Sequence, residues 1–225
     1  MKASTKLLAA LLLVLLTATI FIDVLLGKAY SKINLADPFK SYQPVAIKPF
    51  KYLIIKGGNG YAIEIKQTVR LDMKVMNTRK NFLSVRQSGD TLLLGFTVPN
   101  GQSMRDPENI PLGIIIGSPQ VTSIIADGTN NILTGWKADS LNLTLKGNAS
   151  VNINGAAIGN LMAMGNQNSI FNFQSASKVE HLKIRLNNNA NAFLKEIDYS
   201  SINPQLTENS QIIFGAKSAG KLYLK

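Results

Sequence analysis

SLNLTLKGNASVNINGA, residues 140–156, carries apolar residues at every second position on both sides of a Gly-Asn pair. Alternation of period two is the pattern of a half-buried strand. Gly147-Asn148 sits where a corner is needed, because glycine and asparagine tolerate left-handed backbone angles. The phrase recurs. LNLTLKGNASVNI starts at Leu141, LMAMGNQNSIFNF at Leu161, LKIRLNNNANAFL at Leu182 and INPQLTENSQIIF at Ile202. Asn148, Asn168, Asn189 and Asn209 hold one phase of this repeat, followed by Val151, Phe171, Ala192 and Ile212. A looser unit, IIADGTNNIL, precedes them from Ile124. A period near twenty built of short strands and Asn or Gly corners predicts an all-β fold, a β-solenoid, in which each coil pairs with the next. A meander or sandwich with regular turns is the competing reading. The repeat is longer than the usual 8–12 residue turn spacing of such folds, and this favours the solenoid.

Working toward the N-terminus, residues 51–98 alternate as well. In YAIEIKQTVRLDMKVM (61–76) the odd positions are mostly apolar and the even ones mostly charged, with a break expected near Gln67-Thr68. Gly57-Gly58-Asn59-Gly60 reads as a hairpin turn joining YLIIK to YAIEI, and residues 99–110 read as a long polar loop. No helical pattern follows the glycines, which argues against a phosphate-binding loop.

Residues 7–26 form an apolar run broken only by Asp23 and preceded by Lys2 and Lys6. About 20 apolar residues suffice to span a bilayer as a helix. A signal peptide's apolar core is usually about 7–15 residues. Length therefore favours an uncleaved transmembrane helix, with its basic end in the cytoplasm. A cleaved signal ending at Gly27-Lys28-Ala29 is the alternative. Both export the rest of the chain to the periplasm or the exterior. The expected organisation is an anchor or signal over 1–27, a proline-containing tether over 28–47, a strand region over 48–118 and solenoid repeats over 119–225.

The formal net charge is +11, and there is no cysteine, which removes disulfides and thiolate chemistry. Basic residues crowd the stretch from Lys48 to Arg86, where only Glu64 and Asp72 oppose them. Outside the cytoplasm such a field points to anionic polysaccharide or lipid headgroups. Nucleic acid is not expected, since no helix-turn-helix, zinc or RNA-binding signature is present. Lys66, Arg70 and Lys74 share the wet phase of one alternating stretch and are the expected ligand contacts.

Several features together carry a family resemblance. They are the basic N-terminus and anchor, DPF (37–39), FKYLIIKGGNGYAIEI (50–65), GDTLLL (89–94) and the Asn- or Gly-marked β-repeats. The chain resembles the auto-transporter adhesin head GIN domain family of exported Bacteroidetes proteins over about residues 48–225. Family members carry Gly-Ser-Gly-Asp-like corners where this chain has GTNN, GNAS, NQNS, NNNA and ENSQ. The resemblance implies a single-stranded right-handed β-helix and an envelope location, and it transfers no catalytic residue.

Catalytic chemistry finds little support. Glycoside hydrolysis needs two carboxylates about 5–10 Å apart, and Glu196 with Asp198 is the one close pair in the repeats. His181 is the single histidine, and no Gly-x-Ser-x-Gly elbow accompanies it. Trp136, at a corner after Gly135, either stacks on a sugar or caps the core. The expectation is a non-catalytic exported module without a cofactor or metal, binding an envelope or cell-surface polymer through Lys66, Arg70, Lys74 and Trp136. A structural or signalling-accessory module that binds another envelope protein is the second reading, and a carbohydrate-active enzyme the third.

Overall fold

The computed structural model describes residues 3–31, 39–57, 62–78, 80–97, 112–174 and 176–219. The chain divides into two compact units, Met1–Ser41 and Tyr42–Lys225. The first contains one helix, α1 (Ala3–Ser31), which is long and apolar enough to cross a membrane. Its leucines, valines and isoleucines are exposed on every side, and none of its residues is buried. A helix apolar all round gains nothing from water and calls for an apolar surrounding.

The second unit is built of strands. In chain order they are β1 (Tyr42–Pro44), β2 (Tyr52–Lys56), β3 (Ala62–Gln67), β4 (Asp72–Met76), β5 (Leu83–Ser88), β6 (Thr91–Phe96), β7 (Ile114–Ser118), β8 (Ser123–Asp127) and β9 (Asn130–Thr134). There follow β10 (Lys137–Lys146), β11 (Ser150–Asn154), β12 (Ala157–Gly165), β13 (Ile170–Phe173), β14 (Ser177–Leu186), β15 (Asn191–Leu194), β16 (Ile197–Leu206) and β17 (Gln211–Phe214). A short helix, α2 (Ala216–Ala219), closes the described chain.

These strands form two large sheets. The nine-stranded sheet runs β1-β4-β7-β3-β9-β11-β13-β15-β17, and the eight-stranded sheet runs β16-β14-β12-β10-β8-β2-β6-β5. Both are mixed. The β1–β4, β4–β7 and β5–β6 pairs are antiparallel, and the others are parallel. The expected single-stranded right-handed β-helix is thereby corrected. A coil-by-coil helix would add strands in sequence order. Here β3 lies between β7 and β9, and β2 between β8 and β6, so early strands pair with partners about 70 residues away. The twenty-residue spacing is a pairing offset within these sheets: Leu141 opposes Leu161, Leu161 opposes Leu182, and Leu182 opposes Ile202.

The expected hairpin between YLIIK and YAIEI is corrected too, since β2 and β3 belong to different sheets. Gly57, at φ +86, starts the link between them, and residues 58–60 lie outside the described residues, as does the polar loop 99–110. The alternating stretch does break after Gln67, and β4 begins at Asp72.

Alternation decides which side of each strand is buried. Ile63, Ile65, Leu133, Val151, Ile153 and Phe171 from one sheet meet Leu53, Ile55, Ile124, Leu143 and Leu145 from the other in one apolar core. Each such side chain contributes roughly 1.5–3 kcal/mol by leaving water. The corners are Gly147-Asn148, Gln167-Asn168, Asn188-Asn189 and Glu208-Asn209, and all eight residues have positive φ. They are stitched together. Asn148 N–H donates to the Gln167 carbonyl at 2.8 Å, Asn168 N–H to Asn188 at 2.9 Å, and Asn168 Nδ2 to Asn148 Oδ1 at 3.0 Å. Asn168→Val removes that side-chain bond and puts a β-branched residue at φ 59. The expected loss is about 2 kcal/mol in urea unfolding. Asn168→Gly, which tolerates the angle, is expected to lose less than half of that.

Candidate functional site

The two sheets present wet faces of different character. On the nine-stranded sheet β7 intervenes between β3 and β4. Lys66 and Asp72 both oppose Gly117, and Glu64 and Lys74 both oppose Ile115. Lys66 Nζ lies 3.7 Å from Glu64, and Lys74 Nζ lies 3.4 Å from Asp72. The charges along these rows therefore alternate and largely cancel. Arg70 is exposed in the link between β3 and β4, where its carbonyl accepts from Thr68 Oγ1 at 2.6 Å. Lys66 and Lys74 thus share a face, while Arg70 lies off the strands. Nearby, burial and then the charge of Glu64 raise the Tyr42 phenol above its ordinary pKa.

The eight-stranded sheet differs. Its outward positions carry Lys56, Arg86, Lys146, Lys183 and Arg185, against Asp127 alone on these strands' central rows. None of these five cations forms an ion pair among the described residues. In addition, Arg185 Nε is buried without a hydrogen-bond partner there. Strand register arranges the face in rows. One row starts at Arg185, passes Met164 and Thr144, and reaches Ile125. It continues through Ile54 and Leu93 and ends at Arg86. The adjacent row runs from Lys183 past Met162 and Asn142 to Ser123 and Tyr52, whose ring is 47% exposed. Cations stand toward the margins and apolar side chains toward the middle. From β14 to β5 the face is six strand spacings wide, about 29 Å.

Local charge density in the sequence pointed to the stretch from Lys48 to Arg86 and not to this face. A signal was available in the repeat itself. The positions one and three after Leu141, Leu161 and Leu182 are Asn142 and Thr144, Met162 and Met164, and Lys183 and Arg185. All fall on the outward phase of the parallel strands.

Trp136 is 1% exposed and belongs to the core. It backs a cleft of about 320 Å³ that adjoins a second cleft of about 490 Å³ lined by Lys137, Asp139, Lys178 and Glu180. Two cations and two carboxylates balance there. Among the described residues no three metal-ligating side chains cluster. His181 is exposed, with Nδ1 2.8 Å from Ser201 Oγ.

No family model matches the chain, and no curated protein does. Solved structures do match. A crystal structure described as a "putative adhesin" from Bacteroides fragilis aligns at TM-score 0.53 and 14% identity, covering 77% of this chain and 95% of its own. Two others cover the same shares: a "putative adhesin" from Parabacteroides merdae (TM-score 0.41, 11% identity) and a "putative lipid binding protein" from Parabacteroides distasonis (TM-score 0.42, 8% identity). The first is a likeness of fold, and the other two are more remote.

Proposed function

We propose that the chain is an exported, membrane-tethered, non-catalytic binding module. Its partner is an anionic component of the cell envelope, and its contact surface is the outward face of the eight-stranded sheet. One observation carries this reading: five cations that form no ion pair among the described residues share that face. Charged donors left unpaired at a surface gain most from an anion that brings its own acceptor oxygens. Lys66 and Lys74 are already opposed by Glu64 and Asp72 and gain less. The N-terminal apolar helix supports export and tethering. The adhesin description of the Bacteroides fragilis structure is in keeping with a binding role.

The test is titration with dextran sulfate, with neutral dextran as control. Binding is expected for the sulfated polymer alone and to weaken with salt. Lys183→Glu with Arg185→Glu is expected to lower affinity at least tenfold, and Lys66→Glu with Lys74→Glu about threefold or less. Equal losses in the two double variants would move the contact surface back to the nine-stranded sheet. No binding to sulfated polymer would remove the anionic partner.

A second reading rests on the edge strand that ends each sheet on the C-terminal side. β16 and β17 are edge strands, and Leu206 and Ile213 on them are 44% and 37% exposed. Edge strands invite pairing with another protein, and here α2 already packs on part of β16, where Ser218 Oγ donates to the Ile197 carbonyl at 3.1 Å. Co-purification of a stoichiometric envelope protein, lost on Ile213→Lys, is the outcome that favours it.

A further inference from the structure

We infer that the occupant of the eight-stranded sheet's outward face is an anionic lipid bilayer, the one in which α1 is held. The inference rests on the anionic reading above and names the partner.

The argument starts from what lies between the cations. A hydrated polyanion uses positive charge and hydrogen-bond donors, and it has no use for a central strip of apolar side chains. On this face Met162, Met164, Ile125, Ile54 and Leu93 occupy the middle of the rows, with Tyr52 beside them. All are partly exposed. Lys183 and Arg185 stand at one lateral margin and Arg86 at the other, with Lys146 and Lys56 at the ends of the central strands beside Asp127. From these places long side chains reach headgroup phosphates while apolar neighbours meet the acyl boundary. Tyrosine, with an apolar ring and a polar tip, is favoured at that depth. The nine-stranded face, with Glu64, Asp72 and paired lysines, has no such order.

Chain connectivity adds a second observation. Residues 32–41 separate α1 from Tyr42, where β1 joins the nine-stranded sheet. Extended, a segment of that length reaches at most about 35 Å. A tether of this reach holds the face at a high effective concentration above the membrane, so weak docking suffices. Each cation near an anionic surface contributes on the order of 1 kcal/mol, which salt screens. The apolar strip contributes a part that salt does not remove.

The chain has no cysteine, so single labels can be placed in the full chain. Asn142→Cys puts a fluorophore on this face, and Gln211→Cys puts one on an exposed position of the other sheet. The full chain is assembled in nanodiscs of phosphatidylcholine, with or without one-third phosphatidylglycerol, carrying a headgroup quencher. The expected result is quenching at Asn142→Cys at least threefold stronger than at Gln211→Cys in the anionic discs, and reduced in neutral ones. Met162→Gln with Met164→Gln is expected to cut that quenching by half or more while lowering dextran sulfate affinity far less than Lys183→Glu with Arg185→Glu does. Equal quenching of the two labels, with dextran sulfate still bound, overturns the bilayer as occupant and leaves a soluble polymer. An unchanged signal in the methionine variant overturns the role of the apolar strip. Loss of both dextran sulfate binding and quenching overturns the anionic reading itself.

Discussion

Trp136→Ala is expected to destabilise the unit Tyr42–Lys225 by about 3–5 kcal/mol in urea unfolding, the range for removing a large aromatic from a packed core. The indole is 1% exposed and sits among the apolar residues that join the two sheets. Its backbone is fixed on both sides: Gly135 precedes it at φ +63, and its carbonyl accepts from Ala157 N–H at 2.7 Å. The surrounding strands are held by ladders and cannot collapse into the vacated volume, so the cavity cost adds to the transfer cost. Trp136→Phe keeps most of the apolar surface and is expected to lose less than half as much. Of the two roles open to this residue in the sequence, core capping predicts a stability loss. Sugar stacking predicts a binding loss at unchanged stability. An alanine variant that unfolds like the parent but binds polymer tenfold more weakly would reverse the assignment.

Gly165→Val is expected to cost about 3 kcal/mol, at the upper end of ordinary overpacking. Gly165 lies in β12 between Leu145 and Leu186 on the parallel neighbours, at an inward position. A Cβ there would meet Phe171 Cε2 and Ser169 Oγ at 2.8 Å and Leu186 Cδ2 at 2.9 Å. The glycine is the space into which the Phe171 ring reaches from the opposite sheet. The two positions are therefore coupled. In the Gly165→Val background, Phe171→Leu is expected to restore at least about 1 kcal/mol, although alone it destabilises. Additive losses in the double-mutant cycle would show that the ring and the glycine do not share that volume.

The proposed contact face was legible in the sequence only in part, as single residues show. Lys183 and Arg185 alternate with Leu182 and Ile184 in the sequence, so their outward direction was readable. Their isolation from acids was not, because it depends on which strands stand beside them. Met162 stands beside Lys183 across 21 residues of sequence, and Arg86 shares the row of Arg185 only through a chain of pairings that includes Ile54 with Ile125, 71 residues apart. At Lys66 and Lys74 the local pattern hid the neighbouring carboxylates. Locally they belong to a basic stretch, yet Ile114–Ser118 inserts between their strands and brings Asp72 and Glu64 onto the same rows.

By itself, the sequence determined the class of the protein. Period-two alternation set which side chains are buried, and the phase of Asn148, Asn168, Asn189 and Asn209 set where the chain turns, since both are properties of a few consecutive residues. The apolar run at residues 7–26 likewise determined that a membrane-length helix would form. What the tertiary structure decided was the order of the strands, and with it the architecture and the site. Strand pairing is chosen by fit between faces far apart in the chain, and no local pattern encodes that β2 and β3 leave their hairpin for opposite sheets. The same non-local choice neutralised one basic face and left the other open.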